Sequence, residues 1–296
     1  MNTTTNPTTT NPTTTNSTAT AVRIGCSRGL IELRQSFTNG GELLSHFLWP
    51  TLMLTVMYFL RDSAFGSGEL MLGTLALPGI LGMNAAMGMV SMSQILTAER
   101  EDGTLLRAKA TPDGMPAYLI GKVVSVGGGV LADLAILLIP ALLIIDGLSA
   151  GGPGSWLTVA WVLLLGMAAT LPVGAILGSV FTTARGQGLI QLPMLAMIAI
   201  SGIFYPLTSL PEWVQWLGQA TPVYWLGLGM RSALLPDAAL TVEIGESWRH
   251  WETAGVLGLW AVLGLALAPL VLRRMARRES GSSMSERREK ALRRVG

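Results

Sequence analysis

Charge is what this sequence has least of. Only 13% of its 296 residues are Asp, Glu, Lys or Arg, against about 25% in an ordinary soluble domain. Half of the residues are hydrophobic and the mean hydropathy is +0.50, so one large water-soluble core is excluded and a chain that crosses a bilayer several times is indicated. Cysteine is reduced to Cys26 alone, which rules out an intrachain disulfide and any cysteine-built zinc or iron–sulfur centre; the thiol reads as free and incidental. The two histidines, His46 and His250, lie far apart at expected membrane edges, and no metal site is expected. Catalytic motifs are missing too. Gly121-Lys122 is followed by valines and has no glycine at the upstream spacing of a phosphate loop. There is no Gly-x-Ser-x-Gly elbow, no His-Glu-x-x-His helix and no pair of intramembrane carboxylates. The chain is therefore expected to be no enzyme, to bind no cofactor and no nucleic acid, and not to hydrolyse ATP by itself.

What is present is a set of long apolar runs. Residues 1–22 form a Thr/Asn/Pro-rich tract with too little apolar surface to pack, read as a disordered tail. Arg23 to Leu44 mixes apolar residues with Arg23, Arg28, Glu32 and Arg34, as an amphipathic helix in the membrane interface does, and Asn39-Gly40-Gly41 then turns the chain into the bilayer. Apolar spans follow at about 43–60, 70–96 (interrupted by Pro78-Gly79), 119–145, 156–181, 187–206 and 254–272, each near the ~20 residues that cross ~30 Å of hydrocarbon. The expected fold is an all-α membrane protein with six transmembrane helices, its permease domain covering 23–275 and a basic tail covering 276–296.

Between the fifth and sixth spans, about 208–235, Pro206 closes one helix, Leu210-Pro211-Glu212-Trp213 opens a short one and Thr221-Pro222 opens another that carries Tyr224. Proline at a helix start is inexpensive because the first amides have no intrahelical acceptor. Both pieces are too short to cross and rich in interface-loving Trp and Tyr, so they read as an outer re-entrant pair roofing a pathway. With both termini cytoplasmic, 17 of the 20 Lys and Arg residues fall inside and only Arg61, Arg231 and Arg249 outside, a positive-inside distribution for a multi-pass protein of the cell membrane.

One charged island interrupts the apolar pattern. It comprises Glu99-Arg100-Glu101-Asp102-Gly103-Thr104-Leu105-Leu106, then Ala110-Thr111-Pro112, then Tyr118-Leu119-Ile120-Gly121-Lys122. A short helix at about 97–110 carries acid before base, the order a helix dipole favours, and Leu105 and Leu106 suit an apolar groove on a partner. This run closely resembles the cytoplasmic signature of permease subunits of type-two ATP-binding-cassette transporters, including the daunorubicin-exporter kind. Leu77-Pro78-Gly79-Ile80, Ser201-Gly202-Ile203-Phe204-Tyr205-Pro206-Leu207 and Thr221-Pro222-Val223-Tyr224 resemble the family's other landmarks, with Thr221 standing where the family commonly has Asn.

The resemblance implies a coupling helix seated on a separate ATP-binding subunit that carries ATP and Mg. It also implies a second permease copy or homologue as dimer partner, the lipid bilayer around both, and export of an amphipathic drug, antibiotic or secondary metabolite. It further implies a role in multidrug efflux and antibiotic resistance. The alternatives are export of a lipid-linked glycan or polysaccharide by the same superfamily, and an ATP-independent proton-coupled transporter. For the translocation path the sequence offers Asp133, 11 residues or about 16 Å beyond Lys122 on a helix, where an ionised carboxylate costs roughly 3 kcal/mol. Asn84 and Gln191 are weaker path residues; inter-helix hydrogen bonding explains them equally well.

Overall fold

A computed structural model describes residues 15–63, 71–111, 113–148, 152–180, 184–203 and 205–278. Residues 1–14 of the Thr/Asn/Pro tract, residues 64–70, nearly all of the basic tail, Pro112 and Phe204 lie outside the described residues, while residues 15–22, expected in the disordered tail, are helical. Among the described residues ten α-helices follow one another: α1 (Thr15–Ser36), α2 (Gly40–Leu60), α3 (Leu72–Glu101), α4 (Thr104–Lys109), α5 (Gly114–Ile144), α6 (Pro153–Val180), α7 (Ala184–Ala199), α8 (Glu212–Ala220), α9 (Pro222–Leu234) and α10 (His250–Arg278). Of these, α2, α3, α5, α6 and α10 are long and apolar enough to cross a membrane. The remaining expected span, 187–206, falls on α7, whose 16 residues reach only about 24 Å before the chain turns at 200–202.

Proline runs through the bundle without breaking it. Pro50, Pro78, Pro140, Pro172, Pro193 and Pro269 sit inside α2, α3, α5, α6, α7 and α10, as membrane helices allow when neighbours satisfy the freed carbonyl. The interruption expected at Pro78-Gly79 is thus corrected: α3 continues to Glu101. Gly79 is there for a close approach, since a Cβ on it would stand 2.6 Å from the Ile203 carbonyl oxygen.

Because lipid tails are as apolar as leucine, helices in a bilayer associate through close backbone packing and hydrogen bonds. Two glycine pairs at i, i+4 supply the closeness. On α6, a Cβ at Gly174 would lie 2.2 Å from the Met89 carbonyl oxygen and one at Gly178 2.7 Å from that of Ser93, so α6 lies directly on α3. On α1, a Cβ at Gly25 would meet the Ala117 oxygen at 2.7 Å and one at Gly29 the Gly121 oxygen at 2.5 Å. Leu33 lies farther along against Gly128, which makes α1 and α5 parallel. The interfacial helix expected at 23–44 is therefore two elements: α1, strapped along the first half of α5, and the start of α2, where the Asn39 side chain accepts from the Gly41 amide at 3.3 Å.

At the end of the bundle opposite α4, the expected helical pair is present with unequal halves. In α8 Trp213 and Trp216 are two-thirds exposed while Val214 and Gly218 face inward. By contrast α9, opened by Pro222 at its first turn, is buried along nearly its whole length against α3, α6 and α10. Tyr224 belongs to that core, with 0% exposure, and Pro206 is half-buried. The Arg231 guanidinium holds the Glu243 carboxylate at 2.5 Å and donates to the Gly202 carbonyl at 3.4 Å, tying the segment after α9 to the turn after α7.

Candidate functional site

The charged island is built on two helical stripes of α3. Met92, Leu96 and Glu99 recur at i, i+4, i+7 on one face, and Ser93, Thr97 and Arg100 on the next. The second stripe meets α6: the Thr97 hydroxyl donates to the Gly178 carbonyl at 3.3 Å and Arg100, 9% exposed, donates Nη1 to the Ser179 carbonyl at 3.1 Å. The first stripe meets α5 and carries Glu99 into an ion cluster. Lys122 Nζ donates to Glu99 Oε1 and, at 2.6 Å, to Glu32 Oε2 on α1. Tyr118 donates its hydroxyl to Glu99 Oε2 at 2.6 Å, and Arg28 donates Nε to Glu32 Oε1 at 3.1 Å. Two cations and two carboxylates balance, with the Lys122 side chain only 5% exposed.

Past Glu101 the helix stops because Gly103 takes the left-handed conformation, φ 81°, which costs glycine little. Asp102 Oδ1 then accepts from the Thr104 amide at 2.9 Å and starts α4. The sequence places Glu99 to Leu106 in one coupling helix; the structure divides them between the last turn of α3 and the six residues of α4. Leu105 is 3% exposed and packs with Met92, Leu96, Tyr118 and Leu272 in this chain's own core, so it is not available to a partner. Exposed at this end are Glu101, Asp102, Arg107 and Lys109, with Thr104 and Leu106 half-buried beside them.

Above the ion cluster opens a cleft of about 630 Å³ between α1, α2, α3 and α5. Glu32, Glu99 and Lys122 line its lower part, and Asp133 and His46 its upper part. His46 Nδ1 and Asp133 Oδ1 are 2.5 Å apart, and the His46 ring stacks on Phe37 with centroids at 4.5 Å. Of the three residues suggested for a path, only Asp133 reaches this cleft. Asn84 is buried within α3 at 8% exposure and Gln191 is exposed on α7; neither lines the cleft. Sequence reasoning missed Glu32 and His46 as site residues, and it placed Tyr118 and Lys122 in the charged island without giving them a role. The i, i+4 glycines Gly25 and Gly29 were the available signal that α1 docks on a helix and brings Glu32 with it. Among the described residues no group of three or more His, Cys, Asp and Glu could hold a metal ion.

A family model described as ABC-2 type transporter matches residues 32–235. No curated protein matches the chain.

Proposed function

The chain belongs to the ABC-2 type transporter family as a multi-pass membrane component, and from that premise we propose that it is the permease subunit of an ATP-driven exporter. In this reading the α4 end faces the cytoplasm, with both termini, as the positive-inside distribution supports; α7 with the segment after it completes a sixth crossing. A separate ATP-binding subunit carries ATP and Mg, and a second permease copy or homologue completes the path. The observation that carries the proposal is the construction of α4. Its apolar side is anchored through Leu105 and Ala108, and its charges point outward. Displacement of α4 is passed directly to α3 and, through Glu99, Lys122 and Glu32, to α5 and α1. An element that is rigidly tied within and charged without suits force transmission from a soluble partner.

The test uses the exposed residues. Affinity purification of the chain co-expressed with the genes adjacent to its own is expected to recover an ATP-hydrolysing subunit, and Glu101→Lys with Arg107→Glu to reduce its recovery at least about tenfold while the melting temperature holds. Recovery of no ATP-hydrolysing subunit with the parent chain, or equal recovery with the charge-reversed one, overturns the coupling role.

A further inference from the structure

The two halves of α2 are held very differently. Beyond Pro50, itself buried, Met57 is 1% exposed in the core and Met53 and Leu54 pack against that core, while a Cβ on Gly73 at the start of α3 would stand 3.5 Å from the Met57 carbonyl oxygen. Before Pro50 the packing is sparse: of residues 40–49 only Leu43 and His46 are even partly buried. Polar attachment is equally thin. Among the described residues, His46 and Asp133 at 2.5 Å make the one hydrogen bond or ion pair that joins α2 to another helix. The Phe37 ring that stacks on His46 belongs to the connection before α2. Both ends of this half can bend. A Cβ on Gly40 would meet nothing within 4 Å and one on Gly41 only the Asn39 side chain, so no packing fixes the first end. At the other, Pro50 has no amide hydrogen and leaves the His46 carbonyl without its helical donor. The faces of the segment differ too. Glu42, Ser45 and His46 line the cleft, whereas Leu44, Phe47 and Leu48, turned away from it, are 62%, 46% and 62% exposed. Polar groups toward a cavity and large apolar groups away from it divide an aqueous space from hydrocarbon.

We propose that residues 40–49 form a gate leaf on the cleft, pivoting between Gly40-Gly41 and Pro50 and latched closed by His46 on Asp133. An interhelical hydrogen bond in a membrane shifts an equilibrium by only about three- to twentyfold. That is enough to bias the leaf closed and little enough for a small displacement to release it. Asp133 rides on α5, which Lys122 ties to Glu99 in the last turn of α3, so movement at the α4 end bears on the latch. Opening joins the cleft to the hydrocarbon and gives amphipathic molecules dissolved in the bilayer a lateral entry. That route rests on the permease reading; the movement of the leaf does not.

Distances between paired spin labels test the leaf on the full chain in lipid nanodiscs. Cys26→Ser removes the native thiol, and labelled chain is diluted in unlabelled chain so that only distances within one molecule count. Leu44→Cys on the leaf is paired with Val123→Cys on α5, both exposed positions. Phe59→Cys with Leu143→Cys, also exposed, reads the far half of α2. The parent is expected to show a main short Leu44–Val123 distance and a minor longer one. His46→Ala and Asp133→Ala are each expected to raise the longer population about threefold or more, with the Phe59–Leu143 distance unchanged. Pro50→Ala restores the amide donor to the His46 carbonyl and is expected to lower the longer population, a readout that stands even if Asp133→Ala does not fold. A Leu44–Val123 distribution that stays parental in His46→Ala and Pro50→Ala, or a Phe59–Leu143 distance that shifts along with it, overturns the proposal. The distances are measured without ATP or partner. A responsive leaf with no ATPase recovered therefore overturns the exporter reading alone, and recovery of the ATPase with an unresponsive leaf overturns the latch alone.

Discussion

Replacing Lys122 with Met is expected to lower the apparent melting temperature of the purified chain by about 6 °C or more. The reason is its place between two carboxylates. Lys122 is 4% exposed and its ammonium serves Glu99 on α3 and Glu32 on α1 together. Removing one member of a buried ionic group leaves uncompensated charge and costs about 3–5 kcal/mol, and each kcal/mol moves the midpoint of a chain this size by about 2–4 °C. Glu99 is further disfavoured by its position in the last turn of α3, where the carbonyl end of the helix repels an anion by about 0.3–1 kcal/mol. The Lys122 cation offsets both, with a hydrogen bond from the Tyr118 hydroxyl beside it. Restoring neutrality shows whether charge is the cause. The triple change Lys122→Met, Glu99→Gln, Glu32→Gln is expected to recover most of the loss, because an uncharged set of similar volume strands no ion. If the single change melts like the parent, or the triple change is worse than the single one, the cluster does not hold α1, α3 and α5 together.

The second large effect is steric. Gly174→Leu is expected to cost about 3 kcal/mol or more and to remove most of the monodisperse protein seen by size-exclusion chromatography. A Cβ at this position would stand 2.2 Å from the Met89 carbonyl oxygen and 2.9 Å from its carbon. Both are backbone atoms in the middle of α3, so no side-chain rotation relieves the clash and the two helices must separate. Overpacking in a close-fitting core costs about 1–3 kcal/mol when side chains can shift; here they cannot. Separation also lengthens the Thr97–Gly178 and Arg100–Ser179 contacts one to two turns away. Gly258→Leu on α10, where nothing lies within 4 Å of an added Cβ, is the matched control and is expected to elute and melt as the parent does. Equal behaviour of the two variants would show that α3 and α6 do not cross this closely.

Much of the architecture is legible in one dimension because helix formation in lipid depends on local composition. The apolar runs expected at 43–60, 70–96, 119–145, 156–181 and 254–272 each coincide over most of their length with a long helix, and Thr221-Pro222 opens α9 where proline is cheapest. The helices outrun the apolar runs at their ends, as at α3, which continues into the charged island because nothing before Gly103 stops it. The direction in which an island residue points was less accessible. Glu99 and Glu101 differ by two residues, about 200° around a helix axis, so one is tied inside and the other faces water. That phase is readable in the stripe of Met92, Leu96 and Glu99. Its partners are not, since Glu32 is 90 residues from Lys122 along the chain.

Sequence alone therefore determined that this is a helical, multi-pass membrane chain with one charged interruption, because hydrocarbon admits only long apolar helices and tolerates charge only at breaks. Tertiary structure decided which of those charges are matched to one another. The i, i+4 glycines let α1 lie on α5 and α6 lie on α3 at backbone contact, and the closeness of α1 to α5 brings Glu32 to the point where Lys122 meets Glu99. Charge neutrality in a low-dielectric interior is a property of three-dimensional neighbours, and no local pattern in the chain encodes it.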